Sequence, residues 1–395
     1  MNALAELLSL PESEKPDRGL AHTPAEIAQQ PDAWRSTFEL FRSKRERIVE
    51  FLALAGIGAS PRPRPTVFLI GAGTSDYIGQ SLTFLLRKHW HCEVMAVAST
   101  DLLTNMDEWT VPEKKYLWIS FSRSGDSPEG VAVLESARRS RPDIHHLVIS
   151  CNVNGRMIRE SADDPRVLGI VLDDAVNDRG LAMTSSFSNM VVFGQCLAHT
   201  NDPGVYEKVL MRMVEAGRDF LPRAADCAAG LAKDGYTKAC FAGSGPLRAV
   251  AKESALKLLE LTAGKVLTTS ESVLGLRHGP MAVLDLDTLF VCFLSGNRLV
   301  QQYERDLLDE IGKKKLVRAR IVVGAGEIPG RDSFAERYLS STGSGAIGDD
   351  YRAALDVIFG QLLGLFSSLQ WNLRPDRPSP NGAISRVVQN VSIHS

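Results

Sequence analysis

Apolar and polar positions fall in blocks along this chain, and the period of the blocks changes from one to the next. Short continuous apolar runs over 67–70, 94–97, 116–121, 146–149 and 169–172 read as strands. The stretches between them carry helical spacing. Fully apolar strands separated by helices predict a parallel sheet covered on both faces. The pattern then repeats. A helical stretch over 205–229 leads to strands over 239–242, 266–268, 288–294 and 320–323, and a long helix is predicted over 351–369. Two halves of roughly 160 residues each suggest a duplicated α/β domain. Ahead of the first strand, Thr23-Pro24-Ala25-Glu26 predicts a capping box that opens a helical region reaching to about Gly56. The proline-rich stretch 60–65 predicts a stiff linker. The expected division is a helical segment over 1–58, α/β domains over 59–204 and 205–371, and a tail over 372–395. The tail ends in an apolar stretch, Val387 to Ile393, that predicts docking.

Composition narrows the classes. A chain of 395 residues with 44% hydrophobic and 23% charged residues can bury two cores. A net charge of −2 gives no electrostatic reason to expect nucleic acid or an anionic membrane as partner. No window approaches 18 uncharged apolar residues, and the first residues lack a signal-peptide pattern, so a cytoplasmic protein is expected. The six cysteines are scattered without a CxxC pair, which predicts no metal and no disulfide framework. His145-His146 sits in a strand-like run and reads as core or edge rather than ligand.

Candidate chemistry lies in four places. If the stretch from Lys252 to Glu260 is helical, Glu253, Lys257 and Glu260 share one narrow arc between apolar flanks. Charges in apolar surroundings must be paired, and such a stripe suits a general base. A plain i,i+4 ion pair is the simpler alternative. Ser122-Arg123-Ser124-Gly125-Asp126-Ser127 follows a strand and precedes Pro128-Glu129, a good helix start. Hydroxyls and free backbone N–H groups at a helix N-terminus make an anion site; a serine-rich capping turn is the alternative. No Lys-Ser/Thr pair follows, which argues against a nucleotide-hydrolysing loop. A second hydroxyl cluster, Thr184-Ser185-Ser186, follows the turn Asn177-Asp178-Arg179-Gly180. His278 lies in a loop bounded by Gly275 and Gly279-Pro280, where it would shuttle a proton near neutrality or serve a structural bond. Gly71-x-Gly73-x-x-Asp76 invites a dinucleotide reading, but the third glycine and the acidic residue about 20 positions on are missing. No cofactor is therefore expected. A phosphate cradle, hydroxyl loops, a carboxylate stripe and a histidine together suit proton transfer on a phosphorylated sugar.

These segments, with Thr100-Asp101-Leu102-Leu103-Thr104-Asn105 and Arg386-Val387-Val388-Gln389, resemble the double sugar-isomerase-domain (SIS) family over nearly the whole chain. The nearest likeness is to its galactosamine-6-phosphate deaminase/isomerase branch, also known as tagatose-6-phosphate ketose/aldose isomerase. The resemblance implies two flavodoxin-like SIS domains of α/β class and a homodimer with shared active sites. It implies that Ser122, Arg123, Ser124 and Ser127 bind the sugar phosphate, with Gly73, Thr74 and Ser75 from the first glycine loop. Thr184, Ser185, Arg386 and Gln389 join the expected substrate contacts. Glu260 matches the carboxylate that moves a proton between C1 and C2, with Lys257 and Glu253 beside it. His278 matches the ring-opening acid/base that relatives supply from a neighbouring subunit. Two departures matter. Met183 stands where the glucosamine-6-phosphate synthase has a serine, and the tail carries Arg386 and Gln389 where relatives have a lysine. No Schiff-base role is therefore expected. With no glutaminase domain or N-terminal cysteine nucleophile in the sequence, releasing ammonia is favoured over installing it. The expected substrate is galactosamine 6-phosphate, giving tagatose 6-phosphate and ammonia. Alternatives are glucosamine 6-phosphate, simple ketose/aldose isomerisation, or a non-catalytic sugar-phosphate sensor.

Overall fold

A computed structural model describes residues 1–58, 64–343, 347–388 and 391–394. Most of the expected linker at 60–65, from 60 to 63, and Gln389 of the tail lie outside the described residues. The chain forms two compact units that interleave along the sequence. One comprises Ala33–Asn177, Ser185–Glu207 and Ile384–Ser395; the other comprises Met1–Asp32, Asp178–Thr184 and Lys208–Ala383.

The first unit holds five parallel strands: β1 (Thr66–Gly71), β2 (Val94–Ala98), β3 (Tyr116–Ser122), β4 (His145–Ser150) and β5 (Val167–Val171). Their order is β2-β1-β3-β4-β5. Every residue of β1 and β3 is buried, as continuous apolar runs require in a sheet covered on both faces. Phe68, Trp118 and Tyr116 pack with Val133 and Ala137 of the helix Pro128–Ser140 in one core cluster. His146 belongs to that interior. Its ring meets Trp118 edge-on at 5.6 Å, and burial pulls its pKa down to about 3, so it is a neutral core side chain.

The second unit holds β6 (Lys238–Gly243), β7 (Leu267–Ser272), β8 (Thr288–Phe293), β9 (Ala319–Gly324) and β10 (Arg337–Ser340), again all parallel. The order β10-β9-β8-β6-β7, read from the other edge, repeats that of the first sheet. Both are flavodoxin-like rather than the dinucleotide-binding order. Strand β10 was not foreseen. Its sequence, Arg-Tyr-Leu-Ser, has no apolar run, because an edge strand paired only to β9 has one open side.

The expected capping box at Thr23 is not formed. Thr23 is already inside the helix Thr23–Ala28, and its hydroxyl donates to Asp376 Oδ1 at 2.8 Å. Glu26 does not reach back to the helix start; it accepts from the backbone N–H groups of Arg179 and Gly180. The pattern was right in composition, but longer-range partners captured both side chains.

The helix Leu247–Leu261 packs across the helix Ala353–Gln370. The latter is long and apolar enough to cross a membrane, yet it lies almost wholly buried inside its unit. Two glycines one turn apart set the crossing. A Cβ on Gly360 would lie 2.8 Å from the Cα of Ser254, and one on Gly364 would lie 3.0 Å from the Lys257 carbonyl oxygen. Backbone occupies that space and cannot swing away. We expect Gly360→Ala to lower stability by about 1–3 kcal/mol, read as a reduced denaturation midpoint. An unchanged midpoint would show that the crossing has slack.

Candidate active site

In the first unit, the loops after β1 and β3 flank the point where the strand order reverses, the usual ligand position in open α/β sheets. Gly73 turns the first loop with φ of 55° and hands the chain to the helix Thr74–Trp90. Thr74 and Ser75 are buried at that helix start. The second loop, 122–127, is braced from within. The Gly125 N–H donates to Ser122 Oγ at 3.0 Å, and the Asp126 N–H donates to Ser124 Oγ at 3.1 Å. Gly125 has φ of 67°, a left-handed turn that folds the loop over itself. It is also bolted to the loop after β4. Asn152 Nδ2 donates to the Ser124 carbonyl at 2.8 Å, and the Cys151 N–H donates to the Arg123 carbonyl at 3.1 Å. Asp126 accepts from the Arg156 N–H at 2.9 Å. Ser127 begins the helix Pro128–Ser140 without capping it through its side chain. The positive end of that helix therefore lies at the loop's end. Asn152 and Asp126 were not foreseen as supports; only proximity in the fold marks them.

Arg123 is buried and donates to the Arg386 carbonyl, while Arg386 donates from Nη2 to Asn177 Oδ1 at 2.7 Å. The tail thus docks through Arg386, against the guanidinium of the serine-rich loop. Ser185 is fully buried, and both its carbonyl and its hydroxyl accept from Asn189 Nδ2.

The second unit carries the carboxylate stripe. On the helix Leu247–Leu261, Lys257 Nζ lies 2.5 Å from Glu260 Oε2 and 3.5 Å from Glu253 Oε1. The side chains of Lys257 and Glu253 are 1% and 0% exposed, whereas Glu260 keeps 23%. The three-residue arc foreseen from spacing is therefore real and asymmetric. Glu253 and Lys257 are locked inside, and only Glu260 reaches the surface. Removing Lys257 breaks its buried ion pair with Glu253. Lys257→Met should therefore destabilise by about 3–5 kcal/mol, and a loss below 1 kcal/mol in a denaturant melt would contradict this account.

His278 ends the short turn Gly275–Arg277 and is exposed. Gly279 follows with φ of 120°, and Pro280 starts the next turn. Neighbouring Arg277 is tied to Glu310 at 2.9 Å, so the loop is anchored while the imidazole stays outward. Thr184 is differently placed. It is wholly buried, and its N–H and hydroxyl donate to the Asp178 carboxylate at 2.9 and 2.8 Å.

Beside it lies a cluster that sequence reading missed. Glu26 accepts from Arg179 and Gly180, Asp376 accepts from Thr23, and Asp178 holds Thr184. Burial, then the charges of Asp178 and Asp376, push the Glu26 carboxyl up from 4.5 to about 7. The signal was present in the sequence only as three separate acids. A raised folded pKa means that the folded chain keeps a proton that the unfolded chain releases. The associated stability is full below about pH 4.5 and is lost as pH rises through about 7. Glu26→Gln keeps the side chain neutral at every pH. Its melting temperature relative to the unaltered chain should therefore climb between pH 5 and pH 8; a constant difference would overturn the assignment.

No family model matches the chain. The chain is 38% identical over 381 residues to a Streptomyces coelicolor protein provisionally named D-galactosamine-6-phosphate deaminase AgaS, spanning 96% of this chain and 97% of that one. It is 33% identical to the D-galactosamine-6-phosphate deaminase AgaS of a Shewanella species, over 95% and 92% of the two chains. Among solved structures, tagatose-6-phosphate ketose/aldose isomerase from Escherichia coli superposes with a TM-score of 0.85 at 30% identity, covering 94% and 96%.

Proposed function

Because the chain belongs to the AgaS family of sugar-isomerase-domain enzymes, we propose that it converts galactosamine 6-phosphate to tagatose 6-phosphate and ammonia. The observation that carries this reading is the one-sided stripe, in which buried Lys257 leaves Glu260 as the single carboxylate with access to the outside.

Chemistry follows from the positions. The phosphate is held by Ser122, Ser124 and Ser127 at the start of the helix Pro128–Ser140, with Thr74 and Ser75 on the adjoining loop. Arg123 and Arg386 fix that loop to the tail. His278 transfers the proton that opens the pyranose ring to the free aldehyde. Glu260 then removes the proton at C2, giving an enolamine, and returns it to C1. The result is an iminium at C2. Water adds there, ammonia leaves, and the ketone of tagatose 6-phosphate remains. Lys257, paired to Glu260, steadies negative charge as it develops. Glu253 holds Lys257 in place. Thr184 and Ser185 are engaged in bonds inside the fold.

The exposed imidazole of His278 supports a role toward a neighbouring subunit, and hence a homodimer with shared sites. A phosphorylated substrate fits a cytoplasmic enzyme. The likeness to tagatose-6-phosphate ketose/aldose isomerase favours a second reading, in which the same proton shuttle interconverts hexose 6-phosphates without losing nitrogen. Ammonia release from galactosamine 6-phosphate, measured beside ketose formation from galactose 6-phosphate, separates the two.

Glu260→Gln should lower kcat for ammonia release by about a hundred- to ten-thousand-fold while leaving phosphate affinity near that of the unaltered chain. Near-full turnover by that variant would end the assignment of Glu260 as the proton carrier.

A further inference from the structure

The repeated strand order gives the second sheet its own crevice. In the first sheet the order reverses between β1 and β3; in the second it reverses between β6 and β8. Beyond the carboxyl ends of β6, β8 and β9 lies a cavity of about 1020 Å³. Small-molecule sites of roughly 300–1,000 Å³ favour such positions. The proposed isomerase chemistry uses none of its walls.

The lining mixes apolar and polar side chains, and the polar ones are unevenly satisfied. Arg298, Gln301 and Arg305 face the cavity from the helix Arg298–Lys313. Positions 298 and 305 are two turns apart on one side of that helix, roughly 10 Å along its axis. Among the described residues, the Arg298 side chain makes no hydrogen bond or ion pair. Arg305 lies over the Phe334 ring at 5.0 Å, and its buried Nε has no hydrogen-bond partner among the described residues. The carboxylates opposite are better served. Asp349 is paired to Arg352 at 2.9 Å and accepts from Ser295 Oγ and the Gly296 N–H. Glu327 is paired to Arg331. The helix start is capped by Asn297, which accepts from the N–H groups of Leu299 and Val300. Anion recognition here therefore falls to the two guanidinium groups rather than to backbone N–H groups. Asp350 and the Ser244 and Thr342 hydroxyls border the same space and are suited to a partner rich in hydroxyls.

We propose that this crevice is a second binding site, which takes a phosphorylated polyol with its phosphate between Arg298 and Arg305. Each guanidinium offers a planar fork of donors matched to phosphate oxygens. The hydroxyl-bearing end lies toward Asp350 and Thr342. The site is separate from the serine-rich loop at 122–127, so a chain that has lost its phosphate grip there keeps this one.

Equilibrium dialysis of the full chain with radiolabelled glucose 6-phosphate tests the proposal. The unaltered chain should bind one equivalent more than the Arg298→Gln/Arg305→Gln variant, with affinity for that equivalent falling at least about tenfold in Arg298→Gln alone. The Ser122→Ala/Ser124→Ala variant should retain the equivalent, which separates failure of this site from failure of the proposed active site. Inorganic phosphate in excess should displace it. Equal stoichiometry in the unaltered chain and the double arginine variant, with both melting normally, would overturn the proposal. So would an equivalent that disappears with the serine variant or resists inorganic phosphate.

Discussion

A lysine ammonium confined to the protein interior governs the chemistry around it. Lys257 is 1% exposed, and the only stable arrangement for such a charge is close carboxylates with good geometry. Glu253 serves from inside and Glu260 from the surface side. The backbone makes the arrangement rigid, because Gly360 and Gly364 bring the facing helix close enough that the stripe cannot slide. The ion pair fixes the side chains, and the helix crossing fixes the ion pair.

The two hydroxyl-bearing regions divide their tasks. In the loop 122–127, serine oxygens accept from the loop's own N–H groups, Asn152 donates to its Ser124 carbonyl, and its Asp126 accepts from the Arg156 N–H. Its shape is set by bonds within the fold; under the proposed function, that lowers the entropic cost of holding a phosphate there. Thr184 and Ser185 spend their polar atoms on Asp178 and Asn189. Hydroxyl content alone does not tell these two situations apart; the partner of each oxygen does.

Much of this was legible in the residue pattern. The buried strands β1, β3, β6 and β8 announce themselves as unbroken apolar runs, because both faces of each sheet are covered. Spacing along one helix was enough to bring Glu253, Lys257 and Glu260 together, since their contact is local. Strand β10 escaped because an edge strand has no need of an apolar run. The cluster of Glu26, Asp178 and Asp376 escaped because its members are far apart in sequence and meet only in the fold. For the same reason Thr23 and Glu26, which match a local capping motif, take distant partners instead. Short-range periodicity records burial and local pairing, whereas contacts across hundreds of residues leave no periodic trace.

The interleaving of the two units has a consequence for how the polypeptide is made. Met1–Asp32 is translated well ahead of its partners: Gln30 donates to Gln361, and Thr23 to Asp376. Those early helices must wait through translation of more than three hundred residues before their native neighbours exist. Loop-closure entropy makes such distant pairing slow. Until then the nascent chain exposes apolar side chains that the folded protein buries, Leu20 and Ile27 among them, which makes that stretch a natural docking point for holdase chaperones.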